Sequence, residues 1–514
     1  MGIHHFISWI KETYPFSVQQ IKKTNYDHVY IDLNVILHRV LGKAETEGDI
    51  IYLLCSYIDD IIARNIPTKS LTLAADGIAP LAKIMLQKKR RMDVALDASN
   101  DNINNISSLM FTAGTKFMKY LESRMSDYIK KTKNAHFIEI IQLLTNDGEA
   151  EIKLANQIVT NSLNKKDTHC VLSTDADVIL ILASINVRNV YFNDYANLIN
   201  IDIMLNSHIK KVYKNIKNLN ICYVGLDFCF VSLLLGNDYL QKLGYINISN
   251  LWKSYCESFF LLNTTSNYKY LVEYDKKKEL FMINNSMMIT FSRCIVKYIP
   301  RWYTIFKFHD YDIKNYHNYV VGILWCLNMY SGSAYFKFNY MSSMVSIHPI
   351  GLLYYIDSHY YCNNINNIDD ILKDKNDYGI NSEIYATIIM PKCYRHLIFY
   401  TKHFDFTEKL IFDKISLLYE IEQCAICKTF ITNIKKNINN TTELLIQRKQ
   451  YNIHKKTHKL ITSNDVIDIV KFLKQNGKVK NFPQISDTIK IDDYIDLVTI
   501  PKFVKRKVNN NYMF

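Results

Sequence analysis

The stretch CVLSTDADVILILAS, residues 170–184, constrains this chain most. An apolar run of strand length meets Asp175-Ala176-Asp177, and a second apolar run follows at once. Burying a carboxylate without a partner is costly, and a like charge beside it costs more. Two readings accommodate the pair. One is a turn that starts a helix, because Asp is a common N-cap and turn residue. The other is an extended segment in which residues i and i+2 point the same way, so that both carboxylates face one cation.

The neighbouring sequence supplies a frame for the pair. Over residues 1–240, short β-rich runs alternate with helical patterns. HVYIDLNVIL, SLTLAAD, HFIEIIQLL, HCVLSTD and VRNVYFND read as strands, and IYLLCSYIDDIIARN and GTKFMKYLESRMSDYIKKT as amphipathic helices. Such alternation predicts an α/β fold: a twisted, mainly parallel sheet flanked by helices. Ligands bind such sheets at the carboxyl ends of the strands. Beyond residue 250 the texture becomes mostly helical and rich in Tyr, Phe and Asn, which predicts a second region over 251–500. TNIKKNINNTTE (432–443) reads as a surface loop and residues 501–514 as a basic tail.

Acidic residues recur where the predicted strands end. Asp32, Asp76, Glu149, Glu151, Asp175, Asp177 and Asp238 each sit at the edge of an apolar run or the start of a helix. One alone reads as a cap; seven at corresponding sheet ends read as a cluster. Hard divalent cations favour that oxygen-rich environment. Two such ions about 4 Å apart can activate a water and stabilise a leaving oxygen in phosphodiester hydrolysis. Immediately after Asp76 comes LAKIMLQKKRRM. As a helix it places Lys83, Gln87, Arg90 and Arg91 on one face. That face reads either as a solvated basic surface or as a phosphate pocket, since guanidinium forks match phosphate oxygens.

Charge agrees with an anionic partner: the net charge is +13, and nucleic acid is the commonest such partner. Eleven cysteines without a regular framework predict free thiols in a reducing compartment, the cytoplasm or the nucleus. The N-terminus lacks signal-peptide architecture, and no apolar run of about twenty residues predicts a membrane span. Cys424 and Cys427, with His454 and His458, give C-x₂-C and H-x₃-H, but the gap between them is longer than in a usual zinc finger. LLYEIEQCAICKTFITNI reads instead as one amphipathic helix with its cysteines on the buried side.

The blocks MGIHHFISWIKETYP, YIDLNVILH, ADGIAPLAKIMLQKKRR, FTAGTKFM, GEAEIK, STDADVILI and LLLGNDYL, in this order, resemble the XRN family of 5′→3′ exoribonucleases. The resemblance is specific over residues 1–255. It continues more weakly through INISNLWKSY, YVVGILWCLNMYSGSAYFKF and MPKCYRHLI. It implies a catalytic nuclease domain over 1–250 with a core like those of PIN and flap nucleases. It also implies a seven-carboxylate site for two Mg²⁺ (or Mn²⁺) ions, built from the residues named above. Lys83, Gln87, Arg90 and Arg91 are implied to hold an RNA 5′-monophosphate, and His38 to stack on the first base.

The chain departs from the family at Ala150 and Ile152, where a glycine and a histidine are usual. It departs again at GSAYFKFNYMSS, where Phe336 or Phe338 stands in for a stacking tryptophan. The implied substrate is single-stranded 5′-monophosphate RNA, with single-stranded DNA as a slower one. A decapping enzyme is an implied partner of an expected monomer that acts away from membranes. Two other readings compete: a flap-type nuclease acting on DNA, and an inactive RNA-binding scaffold. GNDYLQKLGYINISNLW lacks the glycine-rich hairpin of the former, and the seven intact carboxylates speak against the latter.

Overall fold

In a computed structural model of the chain, residues 3–481 are described except for 4, 99–105, 137, 145–147, 214–215, 217–218, 264–268, 278–279, 301–311, 332–346, 361–377, 400–423, 437–440, 456–457 and 459–479. Phe336, Phe338 and the tail at 501–514 therefore lie outside the described residues.

The organising element is a seven-stranded sheet. Its strands are β1 (Val18–Gln19), β2 (Thr24–Asp32), β3 (Asn65–Ala74), β4 (Glu139–Leu143), β5 (His169–Leu172), β6 (Val190–Asn193) and β7 (Leu198–Asn200). The order is β1-β7-β6-β5-β2-β3-β4. The run from β6 to β4 is parallel, and β7 and β1 add an antiparallel edge. β2 lies at the centre of the parallel run, and its last five residues, His28 to Asp32, are all buried. Strands covered on both faces need such continuous burial.

Helices cover both faces. In chain order the first nine are α1 (Phe6–Thr13), α2 (Leu33–Leu41), α3 (Glu47–Arg64), α4 (Leu81–Ala98), α5 (Lys116–His136), α6 (Ala150–Asn161), α7 (Asp177–Ser184), α8 (Ile201–Val212) and α9 (Ile221–Leu233). On one face Leu37, Leu54, Ile58 and Leu121 pack against Val29, Ile31 and Leu71 of the sheet. On the other, Tyr30 and Val171 meet Leu154, Ile158, Ile179 and Phe228. That second core continues past residue 250 into α10 (Ile248–Leu262), α11 (Asn285–Lys297), α12 (Ile313–Tyr330) and α13 (Pro349–Tyr360), with Trp252, Phe291 and Trp325 inside it. Among the described residues three more α-helices follow: α14 (Ser382–Ile389), α15 (Ala425–Lys436) and α16 (Thr441–Lys455). Among the described residues, the only strands of this second region form two small two-stranded sheets. The expected fold class, an α/β core of a mainly parallel sheet flanked by helices with a mostly helical second region, stands.

Two local expectations change, and one open choice is decided. HVYIDLNVIL is a strand only to Asp32; Asp32 then caps α2, accepting the Asn34 N–H at 3.0 Å. The stretch at 432–443 is not simply a loop, because α15 and α16 run into it from both sides. DVILILAS is a helix with all eight residues buried. An uninterrupted apolar run carries no period to separate helix from strand.

Candidate active site

The seven carboxylates arrive at one end of the parallel strands. Asp32 closes β2, Asp76 lies two residues beyond β3, and Asp175 stands in the turn between β5 and α7. Asp177 opens α7, while Glu149 and Glu151 stand at the start of α6. Asp238 follows α9. The pair that opened the sequence analysis is thus a helix start: the Asp177 N–H donates to Asp175 Oδ1 at 3.1 Å. The two carboxylates are nevertheless close enough that Asp175 raises the Asp177 pKa.

Backbone ties fix the loops that carry them. Gly77 N–H donates to the Gly148 carbonyl at 2.8 Å, and Gly148 N–H to the Ile78 carbonyl at 3.1 Å. Gly148 has φ +94°, a left-handed value that any side chain would strain. Lys153 of α6 donates to the carbonyls of Ala75 (2.8 Å) and Leu143 (3.3 Å), binding the helix to the ends of β3 and β4. Asp76 accepts the Ala150 N–H at 3.0 Å. Before Asp238 the chain turns through Gly236 (φ +80°), where an added Cβ would lie 2.7 Å from the Lys242 backbone nitrogen.

Charge is only partly balanced. Lys83 of α4, 5% exposed, bridges Glu149 and Asp238, with Asp238 Oδ2 at 3.0 Å. Arg90 clasps Asp238 through both guanidinium nitrogens at 3.2 and 2.9 Å. Burial pushes the Asp238 carboxyl upward, but Lys83 and Arg90 outweigh it and hold the group below the ordinary carboxylate value. The others are left in excess. Burial, reinforced by Asp76, pushes Asp32 up to about 7. Burial also pushes Glu149 up to about 7, although Lys83 opposes it. Asp177 rises to about 8 through burial and its neighbours Asp175 and Asp238. Glu151 is raised by burial and by Glu149.

Fixed polar partners orient individual carboxylates. Ser173 Oγ donates to Asp32 Oδ2 at 3.0 Å. Asp177 accepts the Ile3 N–H at 3.3 Å and the Tyr330 hydroxyl at 2.9 Å, and Asn237 donates to that same hydroxyl at 3.0 Å. Glu149 Oε2 is buried with no hydrogen-bond partner. A carboxylate oxygen so oriented and so uncompensated suits a hard cation, as does the all-oxygen donor set around it. The carboxylates surround Lys83 rather than meeting at a point. Among the described residues, the group of His, Cys, Asp or Glu side chains whose ligand atoms all lie within 4.8 Å of one another is found elsewhere, in the second region.

The basic face of α4 divides in two. Lys83 and Arg90 turn to the acids, whereas Arg91 does not. Its Nε donates to Thr112 Oγ1 at 2.8 Å, and its terminal nitrogen contacts the Gln87 side chain. His38 lies nearby on α2, with its ring edge-on to Phe111 at 5.4 Å between centroids. Burial keeps His38 below the ordinary histidine value; Asp76 opposes this and Arg91 adds to it. Sequence reasoning missed Tyr330, Thr112, Ser173 and Phe111. Tyr330 sits 153 residues from its partner Asp177, a distance at which no spacing signal survives.

Residues 1–193 match the family described as XRN 5′-3′ exonuclease N-terminus. The 5′-3′ exoribonuclease 1 of Saccharomyces cerevisiae is 31% identical over 212 residues, an alignment covering 35% of this chain and 14% of the yeast protein. The Schizosaccharomyces pombe protein of the same name is 29% identical over 211 residues, covering 35% and 16%. The 5′-3′ exoribonuclease 2 of Arabidopsis thaliana is 25% identical over 253 residues, covering 38% and 25%. The chain therefore spans a minor part of the length of these relatives. Among solved structures, the catalytic core of Rad2 aligns with a TM-score of 0.31 and 13% identity, covering 73% of this chain and 99% of that one. Residues 1–193, the part of the chain similar to the XRN 5′-3′ exonuclease N-terminus, carry every clustered carboxylate except Asp238.

Proposed function

We propose that this protein is a divalent-metal-dependent 5′→3′ exoribonuclease that degrades single-stranded 5′-monophosphate RNA to mononucleotides. The observation that carries this reading is the juxtaposition on α4. Lys83 and Arg90 enter a cluster of seven carboxylates, while Arg91, one residue on, donates to the uncharged Thr112 and Gln87 and is available to an anion. A phosphate site and an acidic site thus share one helix.

In this reading Asp32, Asp76, Glu149, Glu151, Asp175, Asp177 and Asp238 hold two Mg²⁺ or Mn²⁺ ions. When bound, these would lower the pKa of an attacking water and stabilise the leaving oxygen. The chain's own residues do the rest. Arg91 and Gln87, with Lys83 and Arg90 at the border of the acidic cluster, bind the terminal phosphate. His38, neutral because it is buried, offers an uncharged ring face to the first base. Phe336 or Phe338 is assigned the other side of that base. Tyr330 and Ser173 hold Asp177 and Asp32 in orientation. Anchoring the terminal phosphate fixes the first phosphodiester over the carboxylates, so nucleotides leave singly from the 5′ end.

The test is a time course on RNAs of one sequence ending in 5′-monophosphate, hydroxyl, triphosphate or cap, with Mg²⁺ or with EDTA. Circular RNA and flap and blunt duplex DNA complete the set. Metal-dependent loss of the monophosphate RNA, with mononucleotides as the only product, is expected. Cuts in the circle, or faster cleavage of the flap, would overturn the reading. RNA binding without hydrolysis in Mg²⁺ or Mn²⁺ would leave only a scaffold.

A further inference from the structure

A second constellation lies far along the chain from the carboxylates. Cys424 immediately precedes α15, and Cys427 lies in its first turn. His454 lies at the end of α16, and His458 follows four residues later. Cys424 Sγ is 3.2 Å from His454 Nε2, and Cys427 Sγ is 3.1 Å from His458 Nε2. The two imidazoles meet edge-on at 4.9 Å. All four ligand atoms lie within 4.8 Å of one another. Both cysteines are buried, at 5% and 0% exposure, and neither is in a disulfide.

The sequence placed these cysteines in an ordinary helical core. They are buried as that reading expects, but among the described residues there is little core for them to join. The apolar residues packed against the pair are Met92 and Tyr451, while Ile426, Leu445, Ile446 and Ile453 of the same two helices are exposed. Two helices that bury so little apolar surface need another source of cohesion, and a structural metal is a common one. Zinc bonds to sulfur at about 2.3 Å and to imidazole nitrogen at about 2.0–2.1 Å, which puts tetrahedral ligand atoms about 3.3–3.8 Å apart. The two sulfur–nitrogen distances, 3.2 and 3.1 Å, lie just below that spacing, so a small outward shift of the ligands would admit the ion. Two thiolates and two imidazoles select zinc over the hard ions suited to carboxylates. Four protein ligands leave no open position, the mark of a structural centre rather than a catalytic one.

We propose that Cys424, Cys427, His454 and His458 form a structural zinc site that locks α15 to α16. The site seats this pair on the back of α4. Met92, which touches the cysteines, points about 180° round the helix from Lys83. The long stretch between the C-x₂-C and H-x₃-H motifs is then the helix pair itself, which replaces the short connection of a zinc finger.

The experiment is metal analysis of the full chain expressed with zinc in the medium and purified without chelator. About one zinc per chain is expected, whatever the nuclease activity. Exchange with Co²⁺ should give the visible bands of a tetrahedral thiolate site. Cys424→Ser with Cys427→Ser should lose the metal. His454→Cys should keep it, with a stronger sulfur-to-cobalt charge-transfer band from the added thiolate. Should the double variant fail to fold, the zinc content and Co²⁺ spectrum of the unaltered chain decide the matter. Zinc-free protein that takes up no Co²⁺, or zinc retained by a folded Ser/Ser variant, would overturn the proposal.

Discussion

Lys83 places its ammonium 3.0 Å from Asp238 Oδ2 and reaches Glu149 as well. A helix face that reads in sequence as phosphate-binding therefore sends its first cation among the acids. The cluster draws part of its counter-charge from the chain and is short of the rest, which is why Asp32, Glu149 and Asp177 are raised while Asp238 is lowered.

Replacing Lys83 by Met tests this balance. Breaking a buried ion pair from one side costs about 3–5 kcal/mol, because the remaining charge is left unpaired. The urea midpoint of Lys83→Met in EDTA should fall accordingly. Added Mg²⁺ should restore more stability to the variant than to the parent, since an ion bound to the native state substitutes for the lost ammonium. Equal metal-induced shifts in the two proteins would show that Lys83 is not the counter-ion of the cluster.

Asp177→Asn addresses the chemistry. Asp177 is held by the Ile3 N–H and the Tyr330 hydroxyl inside the cluster. If it is a metal ligand, the variant should lose hydrolysis of 5′-monophosphate RNA while binding that RNA nearly as well, because positioning contacts go mainly to phosphates. Single-turnover rates and a filter-binding titration separate the two effects. Near-parental hydrolysis would remove Asp177 from the metal-binding set.

Much of this was legible in the sequence, and the reason is local. The strands ending at Asp32, Asp76 and Asp175 announce themselves by β-rich runs that stop at an acid, and the parallel sheet then brings the strand ends together. The short edge strands β1 and β7 were not legible: two or three residues carry no pattern. The helix at Asp177 was one of two open readings, because burial on all sides erases the periodicity that would have decided between them. The division of α4 into cations that meet Asp238 and one that meets Thr112 was also hidden. Helical spacing places Lys83, Arg90 and Arg91 on one face, but only tertiary packing decides which meets Asp238 and which meets Thr112.

A buried acid away from the cleft gives a pH prediction. Asp227 of α9 accepts the N–H groups of Leu271 and Val272, both at 2.9 Å, and the Tyr255 hydroxyl at 2.5 Å. Burial outweighs these bonds and raises its carboxyl from 3.8 to about 7. The native state then holds a proton that the unfolded chain has released between those values. Its contribution to stability is therefore full below pH 3.8 and falls as pH rises to about 7. Asp227→Asn should be less stable than the parent, because an amide cannot accept as many of these donors. The gap should narrow from pH 4 to pH 7, where the folded parent keeps a proton that its unfolded chain has released, and level off above that range. A gap that stays constant across urea midpoints in that range would refute the raised value.

End selectivity separates the two arginines. Arg90 is committed to Asp238 by two nitrogens, whereas Arg91 is positioned by Thr112 and Gln87, which carry no charge. A terminal monophosphate carries more charge than an internal phosphodiester and exposes more oxygens, so it is the better partner for a guanidinium fork. A 5′-hydroxyl end would leave Arg91 unpaired in a partly buried site. Removing a hydrogen bond to a charged group costs about 1.5–3 kcal/mol, or about 10- to 100-fold in rate where that contact positions the substrate. Arg91→Ala should therefore slow degradation of 5′-monophosphate RNA by about that factor and leave the slow 5′-hydroxyl rate almost unchanged, collapsing the ratio between them. Arg90→Ala should instead slow both ends together and raise the Mg²⁺ concentration dependence, because it frees a carboxylate. Competition kinetics on a mixture of the two RNAs reads the ratio directly. An Arg91→Ala enzyme that keeps the parental preference would show that the terminal phosphate is read somewhere other than this face of α4.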